Sequence, residues 1–524
     1  MNVQSFPLER RISMLNKSQK IVAAQNMQSL LIQYLNRMID YKGIESLFSE
    51  EMSAYLSFSK ERIRSKAEII RAFKTQQLSN CFRMLNTPAF MFDNHNSKAL
   101  WDVYAFSFEG NKVRYSIEHF DVSYVEKGDR LFISDMQWDK LVDLVPWGCE
   151  CISEMNVDPL EFSCCPSDCD PEDFVEIQKI QSRFSHFNRK NAIDLFSDHK
   201  PKFSVSFLAE GTKSGKREIA ETLDMIGKEE IRRGAFIGIP LISTPYIVNE
   251  KDKNHACASW ICMYVSFGEM NKDGKRAVAL HLGRLKQKYV KENRKTWKID
   301  DFDFEESFSF VPYYYSHNEN SRYDRISKPE RKWLFGCENM GGTYPEDVFE
   351  IESLIPQWTY RLRSGDQVTI LDTIMNSRER EISRSMRGFS NTRVYGADEF
   401  REYLINRQDK SFFTSMPAFH TATTPLVEVN AEGNYAKAVW LDHSISDLYK
   451  GKLKEERFLP YAAYIGKYEH EFVKEDGTWK WIGFGWEPLV SLPDYVCDTE
   501  QSGEWLDWKH KKIRYPKPFE KYEL

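Results

Sequence analysis

GKYEHEFVKEDGTWKWIGFGW, residues 466–486, reads as a β-hairpin. Polar and apolar residues alternate on both sides of Asp476-Gly477, a dipeptide that tolerates the positive φ of a two-residue turn. Upstream stand Ala438-Val-Trp440, then Thr424-Pro425, then the acidic–apolar step ADEFREYL around Glu399. Furthest upstream is IPQWTYRLRSGDQVTILDTI (355–374), with apolar residues every three or four positions and the pair Ile370, Leu371. That spacing predicts a helix with one buried face. Ala and Trp two residues apart share one face of a strand, and a small residue beside a large ring suits the concave side of a curved sheet.

The same five signals occur twice more in the same order. Helices are predicted in LIQYLNRMIDYKGIESLFSEE (31–51) and IQSRFSHFNRKNAIDLFSDH (180–199). The acidic–apolar steps are KAEIIRAF around Glu68 and KREIAETL around Glu218, and the Thr-Pro steps are Thr87-Pro88 and Thr244-Pro245. Ala99-x-Trp101 and Ala258-x-Trp260 follow, then the hairpins EHFDVSYVEKGDRLFISDM and GRLKQKYVKENRKTWKIDDF. Ordered self-similarity of this kind marks repeated structural units. The predicted fold class is α+β, with three tandem cone-shaped domains, each a set of helices packed in a strongly curved, mostly antiparallel sheet. The predicted divisions are an N-terminal arm (1–18), repeat 1 (19–147), a cysteine-rich linker (148–170), repeat 2 (171–313), a linker (314–345), repeat 3 (346–492) and a C-terminal tail (493–524).

A chain of 524 residues exceeds one core, in keeping with three units. Seventy-two basic against 78 acidic residues leave a net charge of -6 with the signs interspersed, which argues against nucleic acid as a partner. No apolar run approaches the roughly 20 residues of a membrane span. Glu9, Arg10 and Arg11 occupy the place of a signal core, so a cytoplasmic location with reduced cysteines is expected. The aromatic share, 14%, fits either apolar cavities or bulky cores.

Repeat 3 resembles SnoaL-like proteins of the nuclear-transport-factor-two superfamily, in the branch of bile-acid 7α-dehydratase and scytalone-dehydratase-like proteins. The resemblance rests on His420-TATT-Pro425-LVEV, Ala438-Val-Trp440, Tyr464-Ile-Gly466-Lys-Tyr468 and Lys474-Glu-Asp476-Gly477-Thr-Trp479-Lys480. It implies a small-molecule lyase or isomerase, free of cofactors, acting on an apolar cyclic or aromatic substrate inside the cone. His420 would move the proton, assisted by Asp442, Tyr461 or Tyr464, with Trp440, Arg363, Trp358 and Tyr360 lining the site. A His suits this role because its proton leaves near neutral pH. The family's helix Asp is replaced by Arg363 and Asn188 in repeats 3 and 2 and retained as Asp40 in repeat 1. Its His is replaced by Arg83 and Pro240 in repeats 1 and 2. Its strand acid, four residues after the Trp, is Ala105, Tyr264 and Ser444. No repeat keeps the His–Asp pair in place, which equally motivates a non-catalytic binder or assembly protein. Strand alternation puts Asp442 beside Trp440 and sends His443 to the opposite face.

A second candidate site joins Asp40, Tyr34, Arg83 and Trp101 in repeat 1, although Asp40 also suits local bonding at a helix end. Cys149, Cys151, Cys164 and Cys169 form a weak metal candidate beside Cys165, because paired Cys-x-x-Cys spacings are missing. The basic run 376–389 fits a solvated helix face. Gly211-TKS-Gly215-Lys216-Arg217 lacks the spacing and the hydroxyl of a phosphate loop. The expected partners are a small-molecule ligand, two repeats forming an internal pseudo-dimer, and a second chain as a possible homodimer mate.

Overall fold

Three long helices, each followed by a sheet, organise the chain. The computed structural model describes residues 15–312, 340–364, 402 and 419–498, apart from short interruptions of which 448–457 is the longest. The fold is α+β: five α-helices among the described residues pack against mostly antiparallel sheets whose registers shift at several bulges.

The long helices are α1 (Lys17–Leu35), α3 (Pro171–His186) and α5 (Pro345–Ser364). Asn16 caps α1, its Oδ1 accepting from Gln19 N while Asn16 N donates to Gln19 Oε1, each at 2.9 Å. Helices α3 and α5 both open Pro-Glu-Asp, with proline where its missing N–H costs nothing and acids facing the positive end of the helix. The other two helices, α2 (Lys66–Gln77) and α4 (Lys216–Arg233), carry the acidic–apolar steps of the first two units.

The first unit's sheet contains β1 (Phe48–Leu56), β2 (Cys81–Leu85), β3 (Ala89–Phe92), β4 (Ser97–Glu109), β5 (Lys112–Lys127) and β6 (Arg130–Asp143). Strand β7 (Trp147–Ser153), at the head of the cysteine-rich segment, leads out of it. In the second unit follow β8 (Lys202–Val205), β9 (Phe236–Ile242), β10 (Tyr246–Asn249), β11 (His255–Met270), β12 (Arg276–Glu292) and β13 (Thr296–Pro312). Strand β7 pairs with β5 at Val113↔Trp147 and with β13 at Phe310↔Cys151, so the first two units share one 14-stranded sheet. The third unit has its own five-stranded sheet, whose long strands are β14 (Phe419–Asn430), β15 (Tyr435–Asp447), β16 (Phe458–Glu475) and β17 (Thr478–Asp498). Its hairpin turns at Asp476 (φ 50°) and Gly477 (φ 81°), both left-handed as a two-residue turn of this kind requires.

One polar clamp ties helix to hairpin in the last two units. Asp173 of α3 accepts from Lys291 Nζ (2.7 Å) and Trp297 Nε1 (2.9 Å). Asp347 of α5 accepts from Lys474 Nζ (2.6 Å) and Trp479 Nε1 (2.9 Å). In both, the ammonium also lies over the indole, 5.0 and 5.6 Å from its centroid. The first unit reverses the charges: Lys20 of α1 pairs with Glu126 of β5 at 2.9 Å.

Each long helix also packs on the next unit's sheet: α1 on β10, α3 on β14 and α5 on β3. Asn26 bonds both backbone groups of Ile247, at 2.9 and 2.8 Å. Arg183 pairs with Glu428, and Ser353 Oγ accepts from Phe90 N at 2.7 Å. The Thr-Pro steps interlock where the units meet. Thr244 Oγ1 donates to Asn86 O (3.0 Å), Thr87 N to Ala422 O (2.8 Å) and Ile242 N to Thr424 Oγ1 (3.0 Å). These contacts arrange the three units in a ring, within which the first two also share a sheet. A helix-to-next-sheet contact is head-to-tail, and here it closes after the third member. This explains why α1, buried nearly all round, carries Gln25, Asn26, Gln28, Ser29 and Gln33 besides its apolar face. Proline 425 lies inside β14, where the register shifts between Thr423 and Leu426 and Thr424 takes φ 56°.

Candidate functional site

The second unit's concave face holds a buried histidine–carboxylate pair. Trp260, Cys262 and Tyr264 lie on one face of β11, opposite Leu285, Gly283 and His281 of β12. That face turns toward α3, since Gln287, opposite Ala258, donates to Gln181 Oε1 at 2.7 Å. His281 Nδ1 stands 2.6 Å from Glu306 Oε2, and Ser309 Oγ donates to Glu306 Oε1 at 2.7 Å. Ser206 Oγ accepts from Glu306 N at 2.8 Å, anchoring the backbone. The Phe207 ring stacks on His281 at 4.3 Å and meets Tyr264 at 5.2 Å, while Phe304 packs 4.6 Å from Tyr264. His281 is 5% exposed, and its Nε2 makes no hydrogen bond among the described residues.

A register shift between Leu282 and Gly283 sets this geometry. A Cβ on Gly283 would stand 2.1 Å from the Glu305 carbonyl oxygen, so only glycine lets β13 approach closely enough. Chemically, a proton on Nδ1 shared with Glu306 leaves the Nε2 lone pair available as a base. Neither residue was singled out from the sequence. Tyr264 marks the spot as the fourth residue after the Trp, but pairing it with His281 needs the register, and so does placing Glu306 opposite Gly283, diagonal to His281.

The first unit fills the corresponding space. Arg83 Nε donates to Glu118 Oε2 (3.0 Å), which also accepts from Trp138 Nε1 (3.1 Å). The guanidinium lies 5.1 Å over Trp138, which stacks on Phe120 at 4.8 Å. Trp101 is fully buried, and the Tyr34 carbonyl accepts from Gln77 Nε2 at 2.6 Å. The backbone of Asp40 pairs with Glu161; its side chain lies outside the described residues.

In the third unit, Trp358, Trp440, Tyr468, His470 and Trp481 occupy one buried aromatic cluster, with His470 4.6 Å from Trp481 and Trp358 5.6 Å from Trp481. Asp442 lies on their face, opposite Gly466, and its Oδ1 accepts from Thr421 N at 3.2 Å. His443 takes the other face, as alternation requires. It sits 4.5 Å from Tyr104 of the first unit, and burial lowers its pKa to about 3. Tyr360 lies away from this cluster, against Ala89 and Leu100 of the first unit and 5.4 Å from His119. The backbone of His420 pairs with Ser444 and that of Tyr461 with Asp447. The side chains of His420, Tyr461, Tyr464 and Arg363 lie outside the described residues, as do residues 376–389 and 314–339. Cys149 and Cys151 contribute backbone to β7, Cys164 and Cys165 lie outside the description, and Cys169 is buried with its thiol pKa pushed well up by desolvation.

His119 of the first unit forms another pair, Nδ1 to Asp102 Oδ1 at 3.0 Å, on the convex face against α5; burial pushes its pKa down to about 4. No helix of the described residues is long and apolar enough to cross a membrane.

No family model matches the chain, and no curated protein matches it. Several solved structures are similar to part of it. A putative scytalone dehydratase from Novosphingobium aromaticivorans is 16% identical, over 28% of this chain and 86% of that one, with a TM-score of 0.23. A putative dehydratase of the NTF2-like family from Streptomyces avermitilis is 13% identical, over 28% and 97%, with a TM-score of 0.23. A hexachlorocyclohexane dehydrochlorinase is 14% identical, over 28% and 86%, with a TM-score of 0.22.

Proposed function

We propose that this protein is a three-cone, cofactor-independent enzyme that moves a proton on a small apolar molecule, and that the second cone is its working site. The observation that carries this reading is His281: oriented by Glu306, stacked on Phe207, and buried with Nε2 unpartnered among the described residues. A ligand C–H beside an electron-withdrawing group gives its proton to Nε2. The freed electron pair forms a double bond and expels a hydroxyl, which leaves as water with the proton returned by the imidazolium. Return of the proton to another carbon instead gives isomerisation. The surrounding Phe207, Tyr264 and Phe304 fit an aromatic or cyclic substrate.

A non-catalytic role as ligand binder or assembly protein is the second reading, favoured by the Arg83–Glu118–Trp138 filling of the first cone and the aromatic filling of the third. The third cone's His420, with Asp442, Tyr461 and Tyr464, remains a competing place for the chemistry. Native mass spectrometry of gently purified protein tests for a retained ligand, whose turnover is then followed. Turnover lost in His281→Gln supports the second cone; turnover lost only in His420→Ala moves the chemistry to the third. A ligand retained and released unchanged would leave the binder reading.

A further inference from the structure

A different cluster of side chains lies at the turn between β10 and β11. The segment is Glu250-Lys-Asp252-Lys-Asn-His255-Ala-Cys257. Strand alternation places His255 and Cys257 on one face of β11. The hairpin returns Glu250 beside His255, with Glu250 N donating to His255 O at 2.8 Å. Lys253, at φ 58°, donates its N–H to Glu250 O at 2.9 Å and closes a tight turn that holds Asp252 inward. Asp252 Oδ1 accepts from Asn254 N (3.0 Å) and His255 N (3.2 Å), and its Oδ2 stands 2.6 Å from His255 Nδ1.

The donor atoms of Glu250, Asp252 and His255 all lie within 4.8 Å of one another. Cys257 Sγ lies beside this trio, 3.8 Å from Glu250 Oε1. On the neighbouring strand Lys288 stands opposite Cys257, while Lys291 N donates to Asn254 O at 2.8 Å and its ammonium is held by Asp173.

We propose that this turn binds one zinc-type divalent cation through Glu250, Asp252, His255 and Cys257. A tetrahedral ion holds such ligands at about 2.0–2.3 Å, which brings donor atoms to roughly 3.5 Å of one another. The ion takes the place of the proton between Asp252 Oδ2 and His255 Nδ1. Imidazole and thiolate beside two carboxylates select a borderline-soft ion over Mg²⁺ or Ca²⁺, which take oxygen ligands. Four protein donors make the site closed, and therefore structural rather than catalytic. Its place matters because β10 is the strand on which α1 docks through Asn26 and Ile247. The ion braces one joint of the ring, independently of any chemistry in the cones.

Co²⁺ is the probe, added to full-length, chelator-treated protein and followed by absorption. The expected result is one saturable equivalent showing tetrahedral visible bands and a sulfur-to-cobalt charge-transfer band, both displaced by Zn²⁺. Cys257→Ser removes the charge-transfer band and keeps binding, and His255→Ala weakens binding about 10–100-fold or more. These side chains are exposed or half-buried, so circular dichroism of both variants should match the parent. Absence of saturable binding overturns the proposal. So does a charge-transfer band that survives Cys257→Ser, since the thiolate would then come from another cysteine.

Discussion

The first and second cones place a carboxylate on the same face of equivalent strand pairs, yet end in opposite states. Glu118 faces Arg83, a group that never gives up its proton, and Trp138 takes a further place on the same oxygen. Glu306 faces His281, whose second nitrogen is left over. The ion pair locks the first cone shut; the imidazole leaves the second with something to exchange. A buried polar network can thus fill a fold or equip it, depending on whether its cation can lose a proton.

Replacing His281 tests that contrast most severely. His281→Gln keeps a side chain able to bond Glu306 but supplies no base, so turnover of the recovered ligand should fall about 10²–10⁴-fold while urea stability changes little. Equal turnover in the variant would erase the difference between the two cones.

In the first cone the effect should appear in stability instead. Arg83→Met strands Glu118 in a buried site and should cost about 3–5 kcal/mol in urea unfolding, with the double variant Arg83→Met/Glu118→Leu recovering most of it. If the single variant unfolded like the parent, the pair would not be the lock described.

A smaller effect concerns the junction of the long helices. Glu352 of α5 is buried and accepts from Gln178 Nε2 of α3 at 3.2 Å; desolvation raises its pKa to about 8. The unfolded chain releases this proton near the ordinary carboxylate range, and the folded chain only near 8. Stability from this group is therefore full below about pH 4.5 and falls as pH rises toward 8, by on the order of 1–4 kcal/mol. Glu352→Gln should remove that decline. The measurement is the urea midpoint at pH 5, 7 and 9, and parallel curves for parent and variant would refute the assignment.

Least of all should Asn26→Ala cost: about 1–3 kcal/mol, for leaving the Ile247 backbone unpaired in a buried joint. A loss no larger than that of an exposed Asn→Ala control would show that this joint adds nothing to the ring.

Much of each unit was legible locally. Asp476-Gly477 announced its turn, Ala-x-Trp its strand, and alternation sent Asp442 and His443 to opposite faces, where they stand. The clamp of Asp347 on Lys474 and Trp479 was half visible in the hairpin motif, because both partners lie in one short stretch. The acid–base pair was not legible, because Glu306 comes beside His281 only through the pairing of β12 with β13, whose register no local pattern records. Nor was the ring: Asn26 and Ile247 are 221 residues apart, and a buried asparagine looks the same in sequence as a solvated one.

By itself, the sequence determined the kinds of element, their order, their repetition and the faces of their strands. These follow from backbone preferences and two- or 3.6-residue periods, which act over a few neighbours. Only the tertiary structure decided that the units close into a ring and that the second cone alone among the described faces pairs a histidine with a glutamate. Register across bulges and the docking of one unit's helix on another's sheet depend on contacts between distant residues, and no local pattern records which distant residue will arrive.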